Sequence, residues 1–313
     1  MTRPSVDVVI PFRGDPAELE LLRQRLGRLR LRSGDSLVVV DNTPGAESAG
    51  AAERPTVDAV PVLHAADRAT PAYARNRGAA RGSAEWIAFL DADTVPSCEL
   101  LDRYLDPLPG RRTGLLGGAV LDEAVPRGGG LAARYAYLRE VSSQEGTYRF
   151  GRWGYPKTSN AACRRAAFEA LGGFREDIRA GEDADLAYRL RAAGWQTERR
   201  DRAVVVHRNR ATVRGFVVQR AVHGSGGAWL DREYPGSSPA RRLPGLVWWA
   251  IRATAGGLLC ATRSRDHDVA VRALLGPLDD VAFELGRSIP NHRPLAGLAG
   301  IRWSRWTARA SRC

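Results

Sequence analysis

Short apolar runs alternate with helical patterns through the first half of the chain, and that alternation restricts the fold more than any other feature. Val6-Asp-Val-Val-Ile-Pro11 is a β-branched run ended by proline, Leu37-Val-Val-Val-Asp41 reads as a buried strand, and Glu85-Trp-Ile-Ala-Phe-Leu-Asp91 as another. Between them, Asp15-Pro16-Ala-Glu18 has the form of a helix N-cap followed by proline and an acid, and Leu19, Leu22, Leu26 and Leu29 follow at helical spacing. This predicts a helix ending near Gly34. Thr70-Pro71 opens a second helix running to about Gly82, and Val57 to Leu63 is a weaker strand. Strands separated by helices predict an open, mostly parallel α/β sheet covered by helices. Such sheets bind ligands at the carboxyl ends of their strands, where Asp41 and Asp91 stand.

The second half continues with predicted strands at Leu115 to Leu121 and Ala203 to His207. Predicted helices run from Arg164 to Leu171, stopped by Gly172-Gly173, and from Glu182 to Ala193, with acids in the first turn and Gly194 behind. Beyond about Tyr234 the texture turns to Pro, Gly and Ser and then to Leu246-Val-Trp-Trp-Ala-Ile-Arg252 and Ala253 to Ala261. The run is read as too short, and too interrupted by Arg252, for a spanning helix of ~20 residues. It suits either an interfacial helix or a helical pair packed on the first domain. The expected division is residues 1–235 and a basic, Trp-containing helical region, residues 236–313.

Charge is a weaker guide. The formal net charge is +12, but Lys157 is the only lysine, so the arginine excess reflects composition bias. From Arg241 onward twelve arginines face five acids, a net of +7, which leaves +5 for the first 240 residues. Trp248, Trp249, Trp303 and Trp306 fall in the same C-terminal quarter; tryptophan with arginine is the composition of a segment lying on an anionic membrane surface. The start reaches a strand too quickly for a signal peptide, so the expected location is cytoplasmic, on the inner face of the membrane if the tail docks there. Cys98, Cys163, Cys260 and Cys313 form no C-x-x-C pair, which argues against a zinc knuckle or a disulfide framework.

Two acidic motifs carry the chemistry. Asp91-Ala-Asp93 places two carboxylates one residue apart at the end of an apolar strand, a pattern able to hold a hard divalent cation and through it a diphosphate. Gly181-Glu182-Asp183-Ala-Asp185 opens a helix after Gly172-Gly-Phe174. With Ala74-Arg75-Asn76-Arg77-Gly78 these motifs, in this order, resemble glycosyltransferase family 2 over about Val6 to Leu230. The resemblance implies an α/β GT-A fold, a Rossmann-like mixed sheet flanked by helices, here with a C-terminal helical appendage. It implies an inverting enzyme that moves a sugar from a UDP-, GDP- or dTDP-sugar to a hydroxyl acceptor; the basic, Trp-bearing tail points to a lipid-linked glycan, with a small molecule or a peptide as the alternatives.

The resemblance also implies roles. Pro11, Asp41 and Asn42 line the nucleobase pocket, with Asn42 where many relatives have a second aspartate. Arg75 and Asp91 approach the donor; Asp93, Asp91 and His207 hold Mn²⁺ or Mg²⁺. Asp183 is the general base, since direct displacement needs a carboxylate within reach of the nucleophile, and Glu182 orients base or acceptor. Asp185 has Arg189 as a partner at i, i+4. Gln219, Arg220 and His223 precede a glycine-rich stretch that forms either a lid hinge or a plain helix end. Two other classes fit less well. A sugar-phosphate nucleotidyltransferase needs a glycine-rich basic loop after its first strand, where this chain has Pro11-Phe-Arg13-Gly14-Asp15. A nucleic-acid-binding protein needs a motif or a basic-aromatic stripe, and none precedes residue 240.

Overall fold

The computed structural model describes residues 3–45 and 60–292. Its strands are β1 (Val6–Phe12), β2 (Ser36–Asp41), β3 (Val62–His64), β4 (Trp86–Leu90), β5 (Thr94–Pro96), β6 (Thr113–Asp122), β7 (Asn160–Arg164) and β8 (Gln196–His207). Its helices are α1 (Pro16–Leu26), α2 (Pro71–Ala79), α3 (Leu100–Tyr104), α4 (Leu131–Arg139), α5 (Glu145–Tyr148), α6 (Arg165–Ala170), α7 (Glu182–Ala192), α8 (Val213–Glu233), α9 (Leu243–Ser264) and α10 (His267–Gly286). The strands make one sheet in the order β3-β2-β1-β4-β7-β6-β8-β5. The first four are parallel, β7 runs antiparallel between β4 and β6, and β8 is parallel to β6 but antiparallel to β5.

Alternation along the strands feeds two cores. Val6, Val8 and Ile10 point to the side covered by Leu22 and Leu26 of α1 and by Leu100, Leu101 and Tyr104 of α3. Val9, Val38, Val40, Ile87 and Phe89 point to the other side, against α2, α6 and α7. Each such side chain contributes about 1.5–3 kcal/mol on burial. A third cluster, Tyr135, Phe216, Val271 and Leu275, joins α4, α8 and α10, and Arg134 forks onto Asp268 at 2.9 and 2.5 Å.

Several elements differ from the sequence expectation. Helix α1 stops at Leu26 rather than near Gly34; Leu29 keeps its core position from a turn. Strand β7 was not expected, because Ala161, Ala162 and Cys163 are small and lack the branched signal. It is fixed instead by Asn160, whose Nδ2 donates to the carbonyls of Ala119 and Ala203, both at 2.8 Å. The glycine-rich stretch is no hinge, since α8 continues through it: a Cβ on Gly224 would lie 1.9 Å from the Phe283 carbonyl oxygen of α10, so glycine serves helix contact there.

The apolar segment is also longer than expected. Helix α9 is unbroken over 22 residues, with a mean hydropathy of 1.2 in its most apolar window and 6% of that window buried, so by length and composition it is able to cross a membrane. Arg252 does not interrupt it, since arginine is a good helix former; its guanidinium lies over the Trp248 ring, 5.9 Å from the centroid. Trp303 and Trp306, and the first part of the strand expected from Val57, lie outside the described residues.

Candidate active site

From β1 the chain crosses to β2 on one side, and β4 lies on the other, which opens a crevice at the carboxyl ends of these strands. Pro11, Asp41, Asn42 and Asp91 all stand at that edge. Asp41 is buried; its Oδ1 accepts the Thr43 N–H at 2.9 Å and its Oδ2 lies 3.7 Å from Nδ1 of His64, at the end of β3. Asn42 Nδ2 donates to the carbonyl of Thr70, the cap of α2, at 2.9 Å. An ionised aspartate could not make that bond, which gives Asn42 a physical reason to stand at this position.

Helix α2 approaches the sheet closely because Gly78 has no side chain: a Cβ there would lie 2.4 Å from Val9 Cγ1. That approach carries Arg75 into the crevice, where it is 4% exposed. One guanidinium nitrogen donates to Asp91 Oδ1 at 2.6 Å and another to Glu182 Oε1 at 2.9 Å, while the Phe174 ring lies below it at 5.7 Å. One cation thus ties the first acid of each motif and leaves the second acid of each to other work.

Asp93 is the second acid of the first motif. Pairing of β5 with β8 sets Thr94 opposite His207, and the Arg208 N–H donates to the Asp93 carbonyl at 2.9 Å. His207 Nε2 consequently faces Asp93 Oδ1 at 3.4 Å. That oxygen is buried and makes no hydrogen bond, and burial pushes the carboxyl up, with the charge of Asp91 adding to the effect and His207 opposing it. A buried acceptor facing a ring nitrogen fits a divalent cation. Among the described residues no group of three or more His, Cys, Asp or Glu is placed to hold a metal ion. The expected trio is therefore not assembled: Asp93 and His207 face each other, and Asp91 is turned to Arg75.

Asp183 is the second acid of the other motif. Burial and then the charge of Glu182 push it up to about 7, against the Ala184 N–H, Arg75 and Lys157, which favour the carboxylate. Sequence reasoning left Lys157 without a role, although a single lysine in an arginine-rich chain was a usable signal. Its Nζ donates to the carbonyls of Val141 and Ser143 at 3.0 and 2.8 Å, and burial lowers it to about 8 while Asp183 and Asp122 hold it up. Gln144 clamps its backbone on both sides, accepting its N–H at 2.7 Å and donating to its carbonyl at 3.2 Å. Asp185 is fully buried and structural: it takes Arg189 Nε at 2.8 Å, as expected, and the Tyr234 hydroxyl at 2.7 Å. Arg220 is bound by Asp279 of α10 and reaches His223 Nδ1 at 3.3 Å.

A family model described as glycosyl transferase family group 2 matches residues 86–265, more than half of the chain. The chain is similar to a pre-mycofactocin glycosyltransferase of Mycobacterium tuberculosis, 28% identical over 259 residues that cover 81% of this chain and 53% of the relative. It is also similar to glycosyltransferase AglE of Haloferax volcanii, 26% identical over 197 residues that cover 62% of this chain and 64% of the relative. The chain therefore spans about half the length of the first relative and under two thirds of the second. Among solved structures it resembles mannosyltransferase PcManGT from Pyrobaculum calidifontis in complex with GDP-Man and Mn²⁺, with a TM-score of 0.57 at 18% identity, covering 90% of this chain and 87% of that one. With the mixed sheet described above, this likeness gives the GT-A fold.

Proposed function

The chain belongs to glycosyl transferase family group 2, and from that premise we propose that it transfers a sugar from a nucleotide-diphosphate sugar to a hydroxyl acceptor with inversion. The observation that carries the reading is the Arg75 bridge, which brings the two acidic motifs into one crevice through hydrogen bonds to Asp91 and Glu182 rather than to Asp93 and Asp183. Residues 1–235 form the catalytic domain and residues 236–313 the appendage. Pro11, Asp41 and Asn42 bound the nucleobase pocket, and Asp183 accepts the proton of the acceptor hydroxyl. The hydroxyl oxygen bonds to the anomeric carbon as the bond to the diphosphate breaks on the opposite face, and the proton stays on Asp183. Glu182, held by Arg75, fixes the helix end on which that base sits.

Asp93 and His207 are the residues that hold Mn²⁺ or Mg²⁺, with Asp91 in reserve; PcManGT was solved with GDP-Man and Mn²⁺. The cation, when bound, neutralises charge on the leaving diphosphate. The test is a thermal-shift panel of UDP, GDP and dTDP with and without Mn²⁺. A ligand at 100 times its dissociation constant adds about 2.7 kcal/mol of stability. One nucleotide is expected to stabilise the protein only with Mn²⁺, and Asp93→Ala to remove that gain. Equal shifts in EDTA, or an unchanged Asp93→Ala, would refute cation-dependent donor binding. Pre-mycofactocin, from the name of the curated relative, is the first acceptor to assay.

The second partner is an anionic membrane surface, which places the enzyme at the inner face of the membrane and favours a lipid-linked acceptor. Trp248, Trp249, Ile251 and Val247 are exposed on α9, and no acid lies between Tyr234 and Arg265, a stretch with five arginines. A fully buried apolar side chain contributes about 1.5–3 kcal/mol. Replacing Trp248 and Trp249 by serine should reduce flotation with phosphatidylglycerol liposomes by at least about tenfold. Unchanged flotation would assign α9 to packing.

A further inference from the structure

Which nitrogen of His207 carries the proton decides what the ring offers to Asp93. Nε2 faces Asp93 Oδ1 at 3.4 Å, and Nδ1 lies 2.9 Å from Ser142 Oγ. The direction of the second contact is set from further away. Asp122 takes two N–H donors, the Ser142 main chain on Oδ2 at 3.1 Å and Asn209 Nδ2 on Oδ1. The Asn209 amide is thereby oriented, with its Oδ1 turned to Ser142. Ser142 Oγ lies 3.2 Å from that oxygen, which takes the hydroxyl's single hydrogen. Only lone pairs of Ser142 remain for His207, so Nδ1 carries a hydrogen, and in the neutral ring Nε2 presents its lone pair.

Strand pairing mounts this chain of donors. Asp122, at the end of β6, stands opposite His207 in the parallel register with β8, and the Glu123 N–H donates to the His207 carbonyl at 2.8 Å. The result is a ring lone pair directed at a buried carboxylate oxygen that itself lacks a hydrogen bond. Two electron-rich atoms so placed repel each other until a cation lies between them.

We propose that Asp122, Asn209 and Ser142 are positioning residues that hold His207 in the Nδ1–H tautomer, so that Nε2 and Asp93 Oδ1 form a divalent-cation site before any nucleotide arrives. The inference rests on the assignment of Asp93 and His207 to the cation. Partners of this kind typically change metal affinity 10–100-fold when removed.

The test measures Mn²⁺ affinity of the full chain by electron paramagnetic resonance, without donor or acceptor, and the ring nitrogens of His207 by ¹⁵N NMR in the metal-free protein. Once the ring is neutral, as the spectrum itself reports, the wild type should show the Nδ1–H tautomer. Ser142→Ala and Asp122→Asn should bind Mn²⁺ about 10–100-fold more weakly and mix the tautomers, while Ser142→Thr, which keeps the hydroxyl, should match the wild type. The wild-type spectrum is decisive even where a variant folds poorly. An Nε2–H ring in the wild type, or full affinity in Ser142→Ala and Asp122→Asn while Asp93→Ala loses binding, would overturn the inference and leave the cation assignment standing. A wild type that binds no Mn²⁺, or an Asp93→Ala that binds as well as the wild type, would overturn both.

Discussion

Asp183→Asn is expected to bind donor and Mn²⁺ nearly as the wild type does and to transfer sugar about 10²–10⁴-fold more slowly, the usual contribution of a positioned general base. At about 1.4 kcal/mol per tenfold that is a loss of about 3–6 kcal/mol of transition-state stabilisation. Asparagine keeps the shape and cannot take the proton. The pH dependence follows from the same carboxyl. Burial beside Glu182 raises it to about 7, and a base acts only when ionised, so kcat/KM should rise as pH passes through 7 and fall below it. Lys157 favours the ionised form, so Lys157→Met should move the acid limb to higher pH. An unmoved limb would remove Lys157 from the site. Proton NMR of fresh product should show the anomeric configuration opposite to the donor's; retention would overturn direct displacement. If Glu182→Gln is inactive while Asp183→Asn is not, the neighbouring carboxylate is the base.

What the sequence revealed, and what it hid, divides by range. The α/β fold with ligands at strand ends was legible because β1, β2 and β4 are local apolar runs, and two of them are followed or ended by a carboxylate. The helix start at Asp15 was legible because both halves of its capping box lie within three residues, as the structure shows. Strand β7 was hidden because its place depends on Asn160 bonding to carbonyls of β6 and β8 about forty residues away on either side. The chain of donors from Asp122 through Asn209 to Ser142 was invisible for the same reason, since its members are 87 and 67 positions apart and no local pattern links them. The glycines of α8 misled because a glycine run reads as a break, whereas here Gly224 and Gly227 let α10 approach and Gly226 makes room for Ala180. Motif reasoning already ranked Asp93 as the main ligand with Asp91 assisting, but it had no means of foreseeing that the structure separates the two by turning Asp91 to Arg75.

That separation makes Arg75 the most consequential single cation in the crevice. Its guanidinium is almost fully enclosed, while Glu182 is 13% and Asp91 33% exposed. Arg75→Met keeps the stem's volume and deletes the charge, which leaves two carboxylates facing each other across the crevice without a counter-ion. Removing one partner of a buried pair costs about 3–5 kcal/mol, and partial exposure of Asp91 places this case near the lower figure through solvent screening. Urea unfolding should show the loss as a lower midpoint with an unchanged slope. Part of that loss should return in the double variant Arg75→Met, Glu182→Gln, because the second change removes one of the orphaned charges; the coupling reads the bridge apart from other packing. A loss under about 1 kcal/mol, the level of an exposed pair, would mean that solvent rather than Arg75 compensates the two acids. The division of each motif into an acid held by Arg75 and one that is not would then have no physical basis.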